Sequence, residues 1–178
     1  LLDIDSAIGL LKDLETKKSV FLIHKHNNPC GVAIRDNLLD AYLDALSCDN
    51  VSAFGGILTS NQAIDIKVAE EINKLFFEVL IAPNYSDSAL DLLKSKKNRI
   101  IIKLKSFPIN KLQTRSCLNG ILEQDIDDKI EKFEDFKVVT NISPNSTKSD
   151  DLVLASIIVK HTKSNCIAIV KYNQLIGS

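Results

Sequence analysis

One short run constrains the fold more than any other. In Ser19–Lys25, SVFLIHK, the residues Val20 to Ile23 are apolar without interruption. The run is too short for a typical helix and has no alternation of apolar and polar residues, so it reads as a strand buried on both faces. A strand of that kind belongs in the middle of a sheet covered by helices on both sides. Asn27-Asn28-Pro29 follow at once and predict that the strand breaks there.

The remaining pattern alternates helix and strand. LLDIDSAIGLLKDL has apolar residues at Ile4, Ala7, Ile8, Leu10 and Leu11, which is helical spacing, with Asp5 or Ser6 as the expected cap. Helical spacing returns at 37–49, 65–77, 86–98 (Ser86 or Asp87 as cap, Asn98 as stop) and 150–164. Strand-like runs fall at ILTS within 51–61, at EVLIAP (78–83), at RIIIKL (99–104) and at CIAIVKY (166–172). This alternation predicts an α/β sandwich. Residues 105–149 are less regular, and their charged stretch EQDIDDKIEKFEDFK reads as a solvated helix face or a loop. The chain opens inside a helical pattern and stops just after a strand-like run, which predicts a piece of a longer polypeptide.

Charge narrows the function. Twenty-two Lys and Arg stand against 23 Asp and Glu, so composition points to neither a nucleic-acid nor a membrane-surface partner. Cys30, Cys48, Cys117 and Cys166 form no C-x-x-C pair and are expected as reduced, mostly buried thiols of a cytoplasmic protein. Phosphate-loop and dinucleotide glycine motifs are absent. His24 and His26 share a face if both lie on a strand, but no Cys or carboxylate stands at ligand spacing, so no metal is expected.

Three features carry possible chemistry. Lys25-His26 ends the central strand, and a strand end in an α/β sheet opens into the crevice where ligands bind. A histidine there can exchange a proton near neutral pH, and an adjacent ammonium favours the basic form of an imidazole and stabilises developing negative charge. The competing reading is a solvated Lys beside an ordinary hydrogen-bonded His. Gly55-Gly56 is a tight turn or a ligand loop. Ser164-Asn165 is a helix end, or an amide that orients a substrate through its donor and acceptor.

Five stretches in order, KHNNPCGVA, DNVSAFGGI, FFEVLIAP, SALDLLKSKKNRI and KHTKSNCIAIVKYNQLIG, resemble the transformylase part of the bifunctional AICAR transformylase/IMP cyclohydrolase family. The resemblance implies a three-layer α/β/α sandwich of cytidine-deaminase-like kind, without zinc. It implies that residues 1–178 are the first transformylase subdomain, with the cyclohydrolase domain before Leu1 and a second subdomain after Ser178. The implied reaction moves a formyl group from the co-substrate 10-formyltetrahydrofolate to the 5-amino group of AICAR, giving FAICAR. By the same resemblance His26 is the base, Lys25 stabilises the transition state, and Asn165 orients the AICAR carboxamide. Phe54 and Gly55 fall near the nucleotide and folate, and Glu78 contacts AICAR. A homodimer with sites at its interface is also implied. The family's glycine-rich continuation stops here at Gly177-Ser178, and basic residues of the AICAR site lie outside the chain. This chain alone is therefore expected to hold part of a site and to turn over little. A non-catalytic nucleotide-binding or dimerisation module is the alternative.

Overall fold

The computed structural model describes residues 1–14, 16–107, 111–145 and 148–178. Helix α1 (Leu2–Asp13) leads into strand β1 (Ser19–Lys25), which turns directly into β2 (Asn28–Arg35). Then follow α2 (Leu38–Cys48), β3 (Gly56–Ser60), α3 (Ile66–Ile72), β4 (Phe77–Ala82), α4 (Asp87–Lys94) and β5 (Ile100–Lys103). A hairpin of β6 (Leu112–Cys117) and β7 (Gly120–Asp125) precedes a 3-10 turn at Phe133–Asp135. Helix α5 (Ser149–Lys160) and the hairpin β8 (Ile169–Lys171) and β9 (Gln174–Gly177) close the chain.

Seven strands form one mixed sheet in the order β5-β4-β3-β1-β2-β9-β8. As its apolar run demanded, β1 lies in the interior, antiparallel to both β2 and β3, while β3, β4 and β5 run parallel. One face packs Phe21, Ile23, Leu58 and Leu80 against Tyr42 of α2, Ile72 of α3 and Leu93 of α4. The opposite face packs Val20, Leu22 and Val32 against Leu10 and Leu11 of α1 and Leu154 and Ile158 of α5. The result is three layers, α/β/α. Gly31 lets β2 and α2 approach closely: a Cβ there would stand 2.3 Å from the Ala45 carbonyl oxygen of α2.

Several boundaries differ from the sequence expectation, each for a local reason. Asn27-Asn28-Pro29 do not end the pairing. His26 and Asn27 make a two-residue turn, and Asn28 already pairs with Lys25. Pro29 is tolerated in β2 because it faces His24 where the register shifts between Ile23 and His24, a bulge being one of the few sheet positions a proline can hold. Helix α1 begins before its expected caps, and no side chain caps it. Ser6 serves the β1–β2 turn instead. Ser86 does cap α4, accepting from the Ala89 N–H at 3.3 Å. Helix α3 stops at Ile72, and the Asn73 carbonyl takes hydrogen bonds from Lys96 and Arg99. Helix α5 stops at Lys160, where the Lys163 N–H leaves the helical ladder to donate to Asn28 Oδ1 at 3.0 Å. The expected strand over 166–172 shrinks to Ile169–Lys171.

The irregular middle holds the exposed β6–β7 hairpin; its charged run begins in β7 and continues after Asp125 as loop around the 3-10 turn. The thiols are less buried than expected: Cys30, Cys48 and Cys166 are half-buried and Cys117 is exposed. No helix among the described residues is long and apolar enough to cross a membrane.

Candidate functional site

Strand β1 delivers Lys25 and His26 to the rim of a cleft of about 350 Å³. His26, Asn28 and Cys30 line one side, Asp49 and Ser52 another, and Leu175 of β9 closes it. The crevice argument made from sequence needs correction. Because β1 runs antiparallel to β3, its carboxyl end coincides with the amino ends of β3 and β4. The cleft is made by a hairpin turn and the loop after α2, not by the carboxyl ends of parallel strands.

Lys25 is half-buried and its ammonium donates to the Phe54 carbonyl at 2.6 Å. Gly55 follows with φ +69°, and a Cβ there would stand 3.0 Å from Lys25 Nζ. Glycine is favoured there on both counts, by the left-handed backbone and by the ammonium's approach. The Gly55 N–H donates to the Phe76 carbonyl at 2.8 Å. Phe54 is no core residue. Its ring is 61% exposed and stacks at a tilt on Phe76, centroids 5.0 Å apart. Lys25 thus meets Phe54 and Gly55 through contacts between residues far apart in the sequence, while Phe54 and Gly55, unlike Lys25 and His26, lie outside the cleft lining.

Asn165 and Glu78 are brought to the same end of the sheet but not into the cleft lining. Asn165 is exposed in the segment after α5. That segment is tied to the turn: Lys163 donates through its N–H to Asn28 Oδ1 at 3.0 Å and through Nζ to the His26 carbonyl at 3.4 Å. Glu78 is exposed on β4, next to Phe77, which pairs with Gly56.

His24 and His26 do not share a face. His24 is fully buried beneath α1, with no hydrogen-bond partner on either ring nitrogen among the described residues. Its pKa falls from the ordinary 6.5 to about 3, chiefly because burial disfavours the charged ring and secondarily through the nearby His161. His26 is exposed in the turn at φ 53°. Among the described residues no group of three or more His, Cys, Asp or Glu could hold a metal ion. Burial pushes the Cys30 thiol up to about 11, with Asp49 adding to the effect, and burial also raises Cys48. Neither is poised as a thiolate nucleophile. The Cys48 thiol donates to the Leu175 carbonyl, so it braces the cleft wall. Asp49 is held below the usual carboxylate range by the Ser52 hydroxyl and N–H.

Asp49, Ser52 and Leu175 went unnoticed in the sequence. Asp49 reads there as an ordinary helix end, and Leu175 joins the cleft only through the pairing of β9 with β2.

Fold and cleft together define an α/β domain with a polar, histidine-bearing pocket at one end of its sheet. The whole chain, residues 1–178, matches the family described as AICARFT/IMPCHase bienzyme. It is 49% identical over 178 residues to the bifunctional purine biosynthesis protein PurH of Bacteroides thetaiotaomicron, an overlap of 100% of this chain and 35% of that protein. It is 41% identical over 179 residues to PurH of Acetivibrio thermocellus, covering 98% of this chain and 34% of that one. With PurH of Prochlorococcus marinus (strain MIT 9215) it shares 40% identity over 188 residues, 99% of this chain and 36% of the relative. The chain belongs to the AICARFT/IMPCHase bienzyme family, and it spans about a third of the length of these relatives.

Proposed function

We propose that the chain is the first subdomain of an AICAR transformylase part, cytidine-deaminase-like in fold, and that it acts in purine biosynthesis by formyl transfer from 10-formyltetrahydrofolate to AICAR. The observation that carries this reading is the placement of Lys25 and His26 in the cleft lining, with Lys25 tied to the Phe54-Gly55 loop by the 2.6 Å bond to the Phe54 carbonyl.

The AICAR 5-amino group is a poor nucleophile because its lone pair is delocalised into the imidazole carboxamide. His26 accepts a proton from that amine as its nitrogen attacks the formyl carbon. The tetrahedral centre then collapses, the bond to tetrahydrofolate N10 breaks, and N10 recovers a proton. Lys25 lies where its charge stabilises the oxyanion, already held by one carbonyl and so restricted in direction. Asn165 orients the carboxamide, Glu78 reaches AICAR, and Phe54 offers an exposed aromatic face to the folate ring. The rest of the site comes from a second subdomain and from the partner of a homodimer, so this chain alone turns over little. The protein works in the cytoplasm without a metal.

Formyl transfer by the complete gene product, wild type beside His26→Ala, tests the proposal. The expected result is turnover in wild type and a loss of about 10²- to 10⁴-fold in the variant, with little change in AICAR affinity. Equal turnover in both makes His26 structural. No turnover in wild type removes the formyltransferase reading and leaves a nucleotide-binding or dimerisation module.

A further inference from the structure

Resting on the reading of His26 as base, we infer that Asp3, with Ser6, is the positioning residue that sets where the His26 imidazole stands. His26 and Asn27 both hold left-handed backbone, at φ 53° and 62°. Side chains with a Cβ disfavour that conformation, so contacts that hold the turn contribute to keeping it. The surroundings here grip one peptide unit from two sides. The N–H of Asn27 donates to Asp3 Oδ1 at 2.5 Å. The carbonyl of the same peptide, that of His26, accepts from Asn28 Nδ2 at 3.3 Å and from Lys163 Nζ at 3.4 Å. Ser6 Oγ donates to the next carbonyl, that of Asn27, at 3.1 Å.

Rotation of the His26–Asn27 peptide would swing the Cα–Cβ bond that aims the imidazole. Asp3 prevents it from the α1 side, and Lys163 prevents it from the segment that carries Asn165. The half-buried Asp3 thus does more than its place in the first turn of a helix requires. Asp3 touches no reacting atom. It acts through the backbone of the base.

Asp151 of α5 supplies an internal control, because its Oδ1 accepts the Asn173 N–H of the β8–β9 turn at 2.7 Å. In the complete gene product, Asp3→Ala is expected to lower kcat about 10- to 100-fold, with KM for AICAR changing less than about threefold. Asp3→Asn, which keeps an acceptor oxygen, should recover most of that loss. The Asn27 amide should exchange with solvent at least about tenfold faster in Asp3→Ala. Asp151→Ala should melt lower while its folded fraction keeps wild-type kcat. The inference is overturned if Asp3→Ala stays within about twofold of wild type, if Asp3→Asn loses as much as Asp3→Ala, or if Asp151→Ala loses as much kcat. Retained turnover in His26→Ala would remove the base reading separately. The Asn27 exchange rate still decides the clamp in that case: faster exchange in Asp3→Ala upholds it, and unchanged exchange sinks it.

Discussion

The β1–β2 and β8–β9 hairpins close on nearly the same backbone. His26 and Asn27 have φ 53° and 62°, and Tyr172 and Asn173 have φ 54° and 55°. In each, the N–H of the second turn residue donates to a carboxylate from the first turn of a helix on the same face of the sheet, Asp3 of α1 or Asp151 of α5. The β6–β7 hairpin differs from both. Its strands are exposed along their length, and Leu118 at its tip has φ 51° with its side chain fully in solvent. A left-handed hairpin turn is therefore not itself a site in this molecule. What separates the first turn from the second is the side chain offered and where it faces. His26 lines a cleft, whereas Tyr172 is 71% exposed, with the ammonium groups of Lys148 and Lys171 over its ring.

The largest effect expected under this comparison is acid loosening beside the first turn. His24 has a folded pKa of about 3, below its ordinary 6.5, so the unfolded chain takes up the proton first. Stability is then lost as pH falls from 6.5 toward about 3, by roughly 1.4 kcal/mol per pH unit at its steepest. His161 adds repulsion and Asp3 partly offsets it. Burial would raise Asp13, but Lys160 and His161 hold it below its ordinary 3.8, so its own contribution is lost as pH falls below 3.8, starting at the acid end of the same window. Urea unfolding at several pH values should show this slope, and His24→Leu should flatten it. An equally steep variant would remove His24 as the cause.

Next in size, Asp151→Ala leaves the Asn173 N–H without its carboxylate, and urea unfolding should read a loss of about 1–3 kcal/mol. A loss below about 0.5 kcal/mol would mean that solvent replaces the carboxylate and that the two turns are not held alike. Smaller again is His26→Gly. Relief of the left-handed backbone should raise stability by roughly 1 kcal/mol while turnover disappears, separating what the residue does for folding from what it does for chemistry. Destabilisation would show that the turn bears no such strain. Smallest is Leu118→Gly, expected to leave global unfolding within about 0.5 kcal/mol, because the β6–β7 hairpin stands apart from the sheet. A larger change would couple that hairpin to the core.

Much of the layered fold was legible in short windows. The apolar run of β1, the helical spacing of α2 and α4 and the Ser86 cap are signals between near neighbours in the chain; each appears where it was read, except that α4 stops at Lys94, short of the expected Asn98. Of the residues singled out, Lys25 and His26 line one cleft, and Lys25 also contacts Phe54 and Gly55, which stand outside its lining. That cleft was not legible. Asn28–Arg35 was missed as a strand because Asn and Pro normally end one, and only the bulge opposite His24 lets Pro29 remain in the ladder.

By itself, then, the sequence determined an α/β chain with a buried central strand ending in Lys-His, since hydrophobic burial follows from local pattern. Tertiary structure alone decided the geometry around that pair. The contacts that aim it join residues separated by 24 positions for Asp3 and Asn27, 29 for Lys25 and Phe54, and 137 for His26 and Lys163. Hydrogen bonds across such separations form only after the layers have packed, because it is the packing that brings the partners within reach.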